Sequence, residues 1–243
     1  MNTEIPSFTG FGKEAFRFLT DLSNNNSLQW FSDNRDRYEN YIVLPSKSFI
    51  ITIGQFFNQL NPAIRTEPKF DKTMMRINND MRFAKGDPYR TYFLIHFGRF
   101  KGDSEYYVYL NPKGIEYGIF INNTLGKDLY FNKNLPGHKD ELIAVFAKFE
   151  INNKYDFYDF KKEPELVSKN YGISQDNFDT FARTKNILLQ KELHLSNGLA
   201  ASADFMNEAI KTFSNLYPVY CFSFSHNPIA LIEIFEEEMG IIK

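Results

Sequence analysis

Arg76-Ile77-Asn78-Asn79-Asp80-Met81-Arg82-Phe83-Ala84-Lys85-Gly86-Asp87-Pro88-Tyr89-Arg90-Thr91 concentrates charge, turn-forming residues and aromatic side chains in one short segment. From Thr73 to Phe83 the side chains alternate. Met75, Ile77, Met81 and Phe83 take one parity, Arg76, Asn78, Asp80 and Arg82 the other, and Asn79 is the misfit on the apolar side. Such alternation predicts a half-buried strand. Thr91, Phe93, Ile95 and Phe97 alternate in the same way with Arg90, Tyr92, Leu94 and His96, which predicts a second strand over Arg90 to Phe97. Two strands joined by a short loop pair antiparallel. Their polar parities must coincide, because a one-residue slip turns every side chain over. That register sets Arg82 opposite Arg90, Asp80 opposite Tyr92 and Arg76 opposite His96. It leaves Lys85 to Tyr89 in the loop, where Gly86 and Pro88 supply the turn geometry.

The predicted polar face points to an anion site. Guanidinium groups bind carboxylate or phosphate bidentately. The candidate ligand-binding residues are Arg76, Arg82, Lys85, Tyr89, Arg90 and Tyr92, and Asp80 is the candidate catalytic acid or base. Strand residues rise about 3.3 Å each, so Arg76 and Asp80 stand roughly 13 Å apart while Asp80 and Arg82 stand about 7 Å apart. Asp80, Arg82, Arg90 and Tyr92 can therefore share one small ligand, whereas Arg76 needs a long ligand or a partner of its own. The competing reading is structural: Asp80 neutralises the arginines, and the cluster anchors the sheet to the N-terminal helices.

Outward from this segment, the N-terminal part reads as helix. Phe11, Ala15, Phe18, Leu19 and Leu22 recur at helical spacing, and Asn24-Asn25-Asn26-Ser27 stops that helix and caps the next. The second helix sets Trp30, Asn34 and Tyr38 on one face. Pro45 ends or kinks it, and a further helix covers Ser46 to Leu60. Beyond the central segment, Glu105 to Leu110 and Ile115 to Ile121 flank Asn111-Pro112-Lys113-Gly114, which predicts a hairpin, with Gly114 and Gly118 as turn and strand-packing glycines. His138 to Phe149 reads as helix. Ser174 caps a helix holding Phe178 and Phe181, and Ser202 caps another that buries Phe205, Ala209 and Phe213. Pro218 suits the first residue of a strand over Tyr217 to Phe224. Asn227-Pro228 starts the last helix, whose Glu236-Glu237-Glu238 end reads as solvated. The expectation is a single α+β domain over residues 1–243, with a mostly antiparallel sheet and helices packed at the N- and C-terminal parts.

Composition removes several classes of function. The 243 residues are 43% hydrophobic and 24% charged with a net charge of -2, a balance that predicts neither a nucleic-acid nor a membrane partner. Locally, Arg65 to Lys101 holds nine Lys and Arg against four Asp and Glu. Cys221 is the single cysteine, so no intramolecular disulfide forms and a thiolate zinc site is not expected; it lies in an apolar run and reads as an inert core thiol. His96, His138, His194 and His226 lack metal-binding spacing, so no metal is expected. There is no nucleophile elbow, Walker loop or dinucleotide-binding glycine pattern, and no cofactor is implied. Arg99-Phe100-Lys101 and Tyr106-Tyr107 interleave basic and aromatic residues as single-strand binders do, although sheet aromatics are more often core. Without a basic and apolar leader or a long apolar run, a cytoplasmic location is the expectation.

The residues also carry a family resemblance. Phe18, Leu19, Leu22, Asn25, Asn26, Trp30, Phe31, Asn34, Arg35 and Tyr38, followed by Pro45, resemble the first signature of a widespread bacterial family with fungal relatives, catalogued as a domain of unknown function. Arg76, Ile77, Asp80, Arg82, Phe83, Lys85, Pro88, Tyr89 and Arg90 resemble its second signature, and Tyr106-Tyr107 the pair that follows. Lys185 and the Ser202 to Pro218 region resemble its C-terminal pattern. The chain departs from the family at Asn79, where a second arginine is usual, and in a loop one residue shorter before Pro88. The glycine-rich stretch is reduced to Gly114 and Gly118, and the middle lacks the Leu-x-x-Ile-Arg helix start. The resemblance implies no particular activity. The leading expectation is therefore binding of a small anionic ligand, phosphate- or carboxylate-bearing, at a basic sheet face. The alternatives are an enzyme using Asp80 as general acid or base, and a non-enzymatic module that docks protein or nucleic acid.

Overall fold

A computed structural model describes residues 5–80 and 86–240. The expectations for Met81, Arg82, Phe83 and Lys85 lie outside these residues. The fold is α+β, with one six-stranded antiparallel sheet in the order β1-β2-β3-β6-β4-β5. The strands are β1 (Phe93–Phe97), β2 (Glu105–Asn111), β3 (Gly114–Asn122), β4 (Asp156–Phe160), β5 (Pro164–Ser168) and β6 (Asn186–His194). The helices are α1 (Gly12–Asn24), α2 (Leu28–Asp33), α3 (Arg35–Tyr38), α4 (Leu44–Leu60), α5 (Phe131–Asn134), α6 (Lys139–Lys148), α7 (Phe178–Arg183), α8 (Phe205–Phe224) and α9 (Pro228–Glu238). The chain divides into two compact units. One comprises Met1–Phe97, Tyr107–Tyr117 and Glu192–Ile210, the other Gly98–Tyr106, Gly118–Lys191 and Lys211–Lys243.

In the first unit, α1 buries Ala15, Phe18, Leu19 and Leu22, the stripe expected from the sequence. Ser27 caps α2 by accepting the Trp30 N–H at 3.2 Å. The expected continuous second helix is interrupted at Asn34, whose φ of -111° and ψ of 15° separate α2 from α3. A π-helical turn, Glu39–Val43, then joins α3 to α4, and the Leu44 N–H donates to the Glu39 carbonyl across it. Pro45 therefore sits in the first turn of a continuing helix. The wider turn provides for a residue that has no N–H and whose ring would clash with the preceding turn of a regular α-helix. Phe49 and the start of α8 close this core through Phe11 and Phe205, with ring centroids 5.7 to 6.0 Å apart.

The predicted strand over Thr73 to Phe83 is corrected. Its described part, up to Asp80, makes single bridges, Met74 with Ile95 and Asn78 with Tyr89. Both pairings depart from the expected register by an odd number of residues, which turns the parities over. The buried residues are Thr73, Met74 and Ile77, a spacing that strict alternation does not produce. Tyr89, bridged to Asn78, is bonded to Asn26 and stacked on Phe31. The alternation in β1 holds: Phe93, Ile95 and Phe97 are buried and their neighbours half-buried.

The hairpin forms as expected between β2 and β3, with the Lys113 N–H bonded to Asn111 Oδ1 at 2.8 Å. Gly114 is required because a Cβ there would lie 2.1 Å from the Leu193 carbonyl oxygen.

The second unit has its own aromatic core. Phe146, Phe157, Tyr171 and Phe181 pack with centroids 4.8 to 6.3 Å apart. Three expectations are corrected here. Tyr217 to Phe224 is the end of α8, with Pro218 inside the helix. Residues 216–223 are buried on every side, and such an apolar run shows no period to distinguish helix from strand. Asn177, not Ser174, holds the N-cap position of α7; its side chain makes no capping bond to the helix, and its Oδ1 accepts the Ser174 N–H at 2.8 Å. Glu236 is not solvated; it is 6% exposed and ion-paired with Lys148. Asn227 caps α9 as expected, and Cys221 is fully buried, with burial pushing its thiol well above the ordinary range.

Candidate functional site

A cleft of about 270 Å³ opens in the first unit, between the α2–α3 region with its π turn and the Phe70 to Asn78 segment. It is small, near the lower end of the range for small-molecule sites. Phe31, Ser32, Arg35, Tyr38 and Glu39 line one side; Phe70, Arg76, Ile77, Asn78 and Tyr89 line the other.

The floor is apolar and fixed. Phe31 and Tyr89 stack at 4.0 Å with planes 16° apart, an arrangement that contributes about 1 kcal/mol beyond burial. Asn26 clamps Tyr89 at both main-chain groups: its Oδ1 accepts the Tyr89 N–H at 3.1 Å, and its Nδ2 donates to the Tyr89 carbonyl at 2.8 Å. Tyr38 packs against Phe31 at 5.3 Å and Phe93 at 6.2 Å. Burial holds the Tyr38 hydroxyl neutral by pushing its pKa well up. Glu39 pushes the same way, and Arg35 and Arg76 oppose both. All three charges thus act on one hydroxyl at the base of the cleft.

The walls carry the charge. Arg76 is exposed and bonded along one edge to Asp71, Nε at 2.9 Å and Nη2 at 2.8 Å, and its guanidinium lies 5.6 Å from the Phe70 ring centre. Asp71 is a partner of its own for Arg76, one of the two alternatives that the sequence left open, and it engages Nε and Nη2 rather than Nη1. Arg35 lines the same cleft. Arg35 and Glu39, one helical turn apart, make no ion pair among the described residues.

Of the residues singled out in the sequence, the cleft includes Arg76 and Tyr89. Arg90 is half-buried and donates to the carbonyls of Arg76, at 2.8 Å, and Asn78, bracing the cleft wall from behind. Tyr92 packs on Tyr109 at 4.7 Å, and Asp80 is exposed; neither lines the cleft. Arg82 and Lys85 lie outside the described residues. Arg99, partly exposed, meets the fully buried Asp103 in an ion pair in the second unit, at 2.8 Å from both Nε and Nη2. Tyr106 and Tyr107 are core. Among the described residues no group of three or more His, Cys, Asp or Glu could hold a metal ion, and no helix is long and apolar enough to cross a membrane.

Sequence reasoning missed Arg35, Glu39 and Ser32 as site residues. Phe31, Arg35 and Tyr38 recur at i, i+4 and i+7, but an exposed arginine at that spacing carries no signal that sets it apart from a solvated one.

A family model described as "Conserved hypothetical protein (DUF2461)" matches residues 14–222. The chain belongs to this family. None of the curated proteins compared with it matches. In this DUF2461 member the segment from Asn26 to Tyr38 does two jobs. Asn26 and Asn34 are structural: Asn26 holds Tyr89, and Asn34 donates to the Trp30 carbonyl at 2.9 Å while accepting from Arg37 at 3.0 Å. Arg37 in turn pairs with Asp21 at 2.8 Å. Phe31, Arg35 and Tyr38 line the cleft together with Arg76, Ile77 and Tyr89.

Proposed function

We propose that this protein binds a small phosphate- or carboxylate-bearing molecule in the cleft between Arg35 and Arg76. The observation that carries the reading is the convergence of two guanidinium groups, from segments far apart in sequence, on one small cleft with a neutral phenol at its base. Paired arginines recognise planar or tetrahedral oxyanions through charge-assisted bonds, about twice as strong as neutral ones. Ser32 and Asn78 add hydroxyl and amide groups at the wall. The reading moves the anion site away from the face around Asp80, Arg82 and Arg90. Asp80 does not line the cleft, which favours binding there over acid–base chemistry by that residue.

The test is ligand-dependent melting. Anything that binds the folded state alone raises stability by RT ln(1 + [L]/Kd). Inorganic phosphate, ethyl phosphate or propionate raises the melting temperature of the wild type, and Arg35→Gln abolishes the rise. No rise with any of them, or a rise that survives Arg35→Gln, contradicts the proposal.

A further inference from the structure

Glu39 is the feature of the cleft that a simple anion site does not explain. A carboxylate beside an anion-binding pair weakens the binding of any pure anion, because like charges disfavour each other's approach. It is kept apart from Arg35, which stands one turn before it, and among the described residues it has no cation of its own. Its position is set by the backbone: Glu39 opens the π turn, and its carbonyl accepts the Leu44 N–H across the widened turn. Tyr38, just before the turn, is buried, and Glu39, its first residue, is exposed at the cleft. Single π turns inside α-helices are frequent at functional sites.

We propose that the ligand is zwitterionic: an oxyanion held by Arg35 and Arg76, and an ammonium group held by Glu39. The inference rests on the anion reading of the same cleft and adds the second charge. Side chains one helical turn apart are about 6 Å apart at Cβ, a spacing that suits a two- or three-atom link between the two charged groups. The cleft's volume of about 270 Å³ admits a molecule of that size. The Tyr38 hydroxyl, neutral and lying under all three charges, donates to the oxyanion or accepts from the ammonium. Among the charged groups that line the cleft, a pure anion meets two attractive and one repulsive, with Asp71 already holding one edge of Arg76, and the zwitterion meets three attractive ones.

Matched pairs separate the two claims. Calorimetric titration compares 2-aminoethyl phosphate with ethyl phosphate, and 3-aminopropionate with propionate. Each amine-bearing member binds the wild type about fivefold more tightly than its partner, the value of one partly exposed ion pair. In Glu39→Gln that ratio falls to about one, with the melting temperature of the ligand-free variant as the folding control. If ethyl phosphate and propionate bind and the amine adds nothing, the zwitterion proposal is overturned while the anion reading stands. If the preference for the amine survives Glu39→Gln, the role of Glu39 is overturned. If none of the four binds, both readings fail together.

Discussion

Asn26 connects the α1–α2 turn to Tyr89 through a single side chain. Its amide satisfies both the N–H and the carbonyl of Tyr89 and so fixes the ring that floors the cleft. Removing it leaves two main-chain groups of a residue that is 7% exposed without their partners. Asn26→Ala therefore lowers unfolding stability by about 2 kcal/mol, measured by urea denaturation. Asn26→Asp costs about as much, because a carboxylate keeps the bond to the N–H and repels the carbonyl. A loss of under about 0.5 kcal/mol in either variant would show that the clamp does not set the Tyr89 position. At this scale the sequence was half legible. Arg76 and Tyr89 stood out through charge and through their place beside Gly86 and Pro88. Arg35 did not, because a lone exposed arginine on a helix resembles every other solvated one. Only the opposing wall, distant in the chain, shows what it faces.

At the scale of elements, what carried a period was legible and what lacked one was not. Helix α1, strand β1, the β2–β3 hairpin and the cap of α9 followed from spacing and turn residues. The end of α8 did not, since a run buried all round has no polar face to reveal a helix. Strands β4, β5 and β6 were hidden for the opposite reasons. β5 is exposed along nearly its whole length, and Ile187 to Gln190 of β6 are buried without alternation. The glycines were legible as punctuation, and the structure supplies the distances. In Gly118, φ is +159° and a Cβ would lie 1.9 Å from the Leu189 carbonyl oxygen. Main chain cannot yield as a flexible side chain can, so Gly118→Ala forces β3 and β6 apart. The expected cost is more than about 3 kcal/mol, seen as loss of soluble protein or a steep fall in denaturation midpoint. A variant as stable as the wild type would mean that the two strands do not approach so closely.

At the scale of the whole molecule, both units bury tyrosine hydroxyls. Burial raises the pKa of Tyr38 and Tyr109 in one unit and of Tyr106, Tyr171, Tyr217 and Tyr220 in the other. A group whose folded pKa lies above its unfolded value of 10.0 contributes stability that is intact below that pH. Above it the unfolded chain releases protons that the folded one retains, so stability falls as pH rises. Alkaline titration should therefore show part of the tyrosinate absorbance appearing together with the loss of circular dichroism above pH 10, rather than titrating smoothly in folded protein. Full ionisation of the tyrosines with the fold intact would contradict this. The α+β class and the antiparallel sheet were legible at this scale from the order of periodic segments. The cleft was not, because its walls come from segments some forty residues apart and no local pattern records their meeting. Its charge pair is the centre of the account, and calorimetry tests it most directly. Ethyl phosphate titrated into the wild type gives saturable heat, and titrated into the Arg35→Gln, Arg76→Gln double variant gives none. Equal binding to both proteins, or no binding to the wild type, would contradict the assignment of the cleft as an anion site.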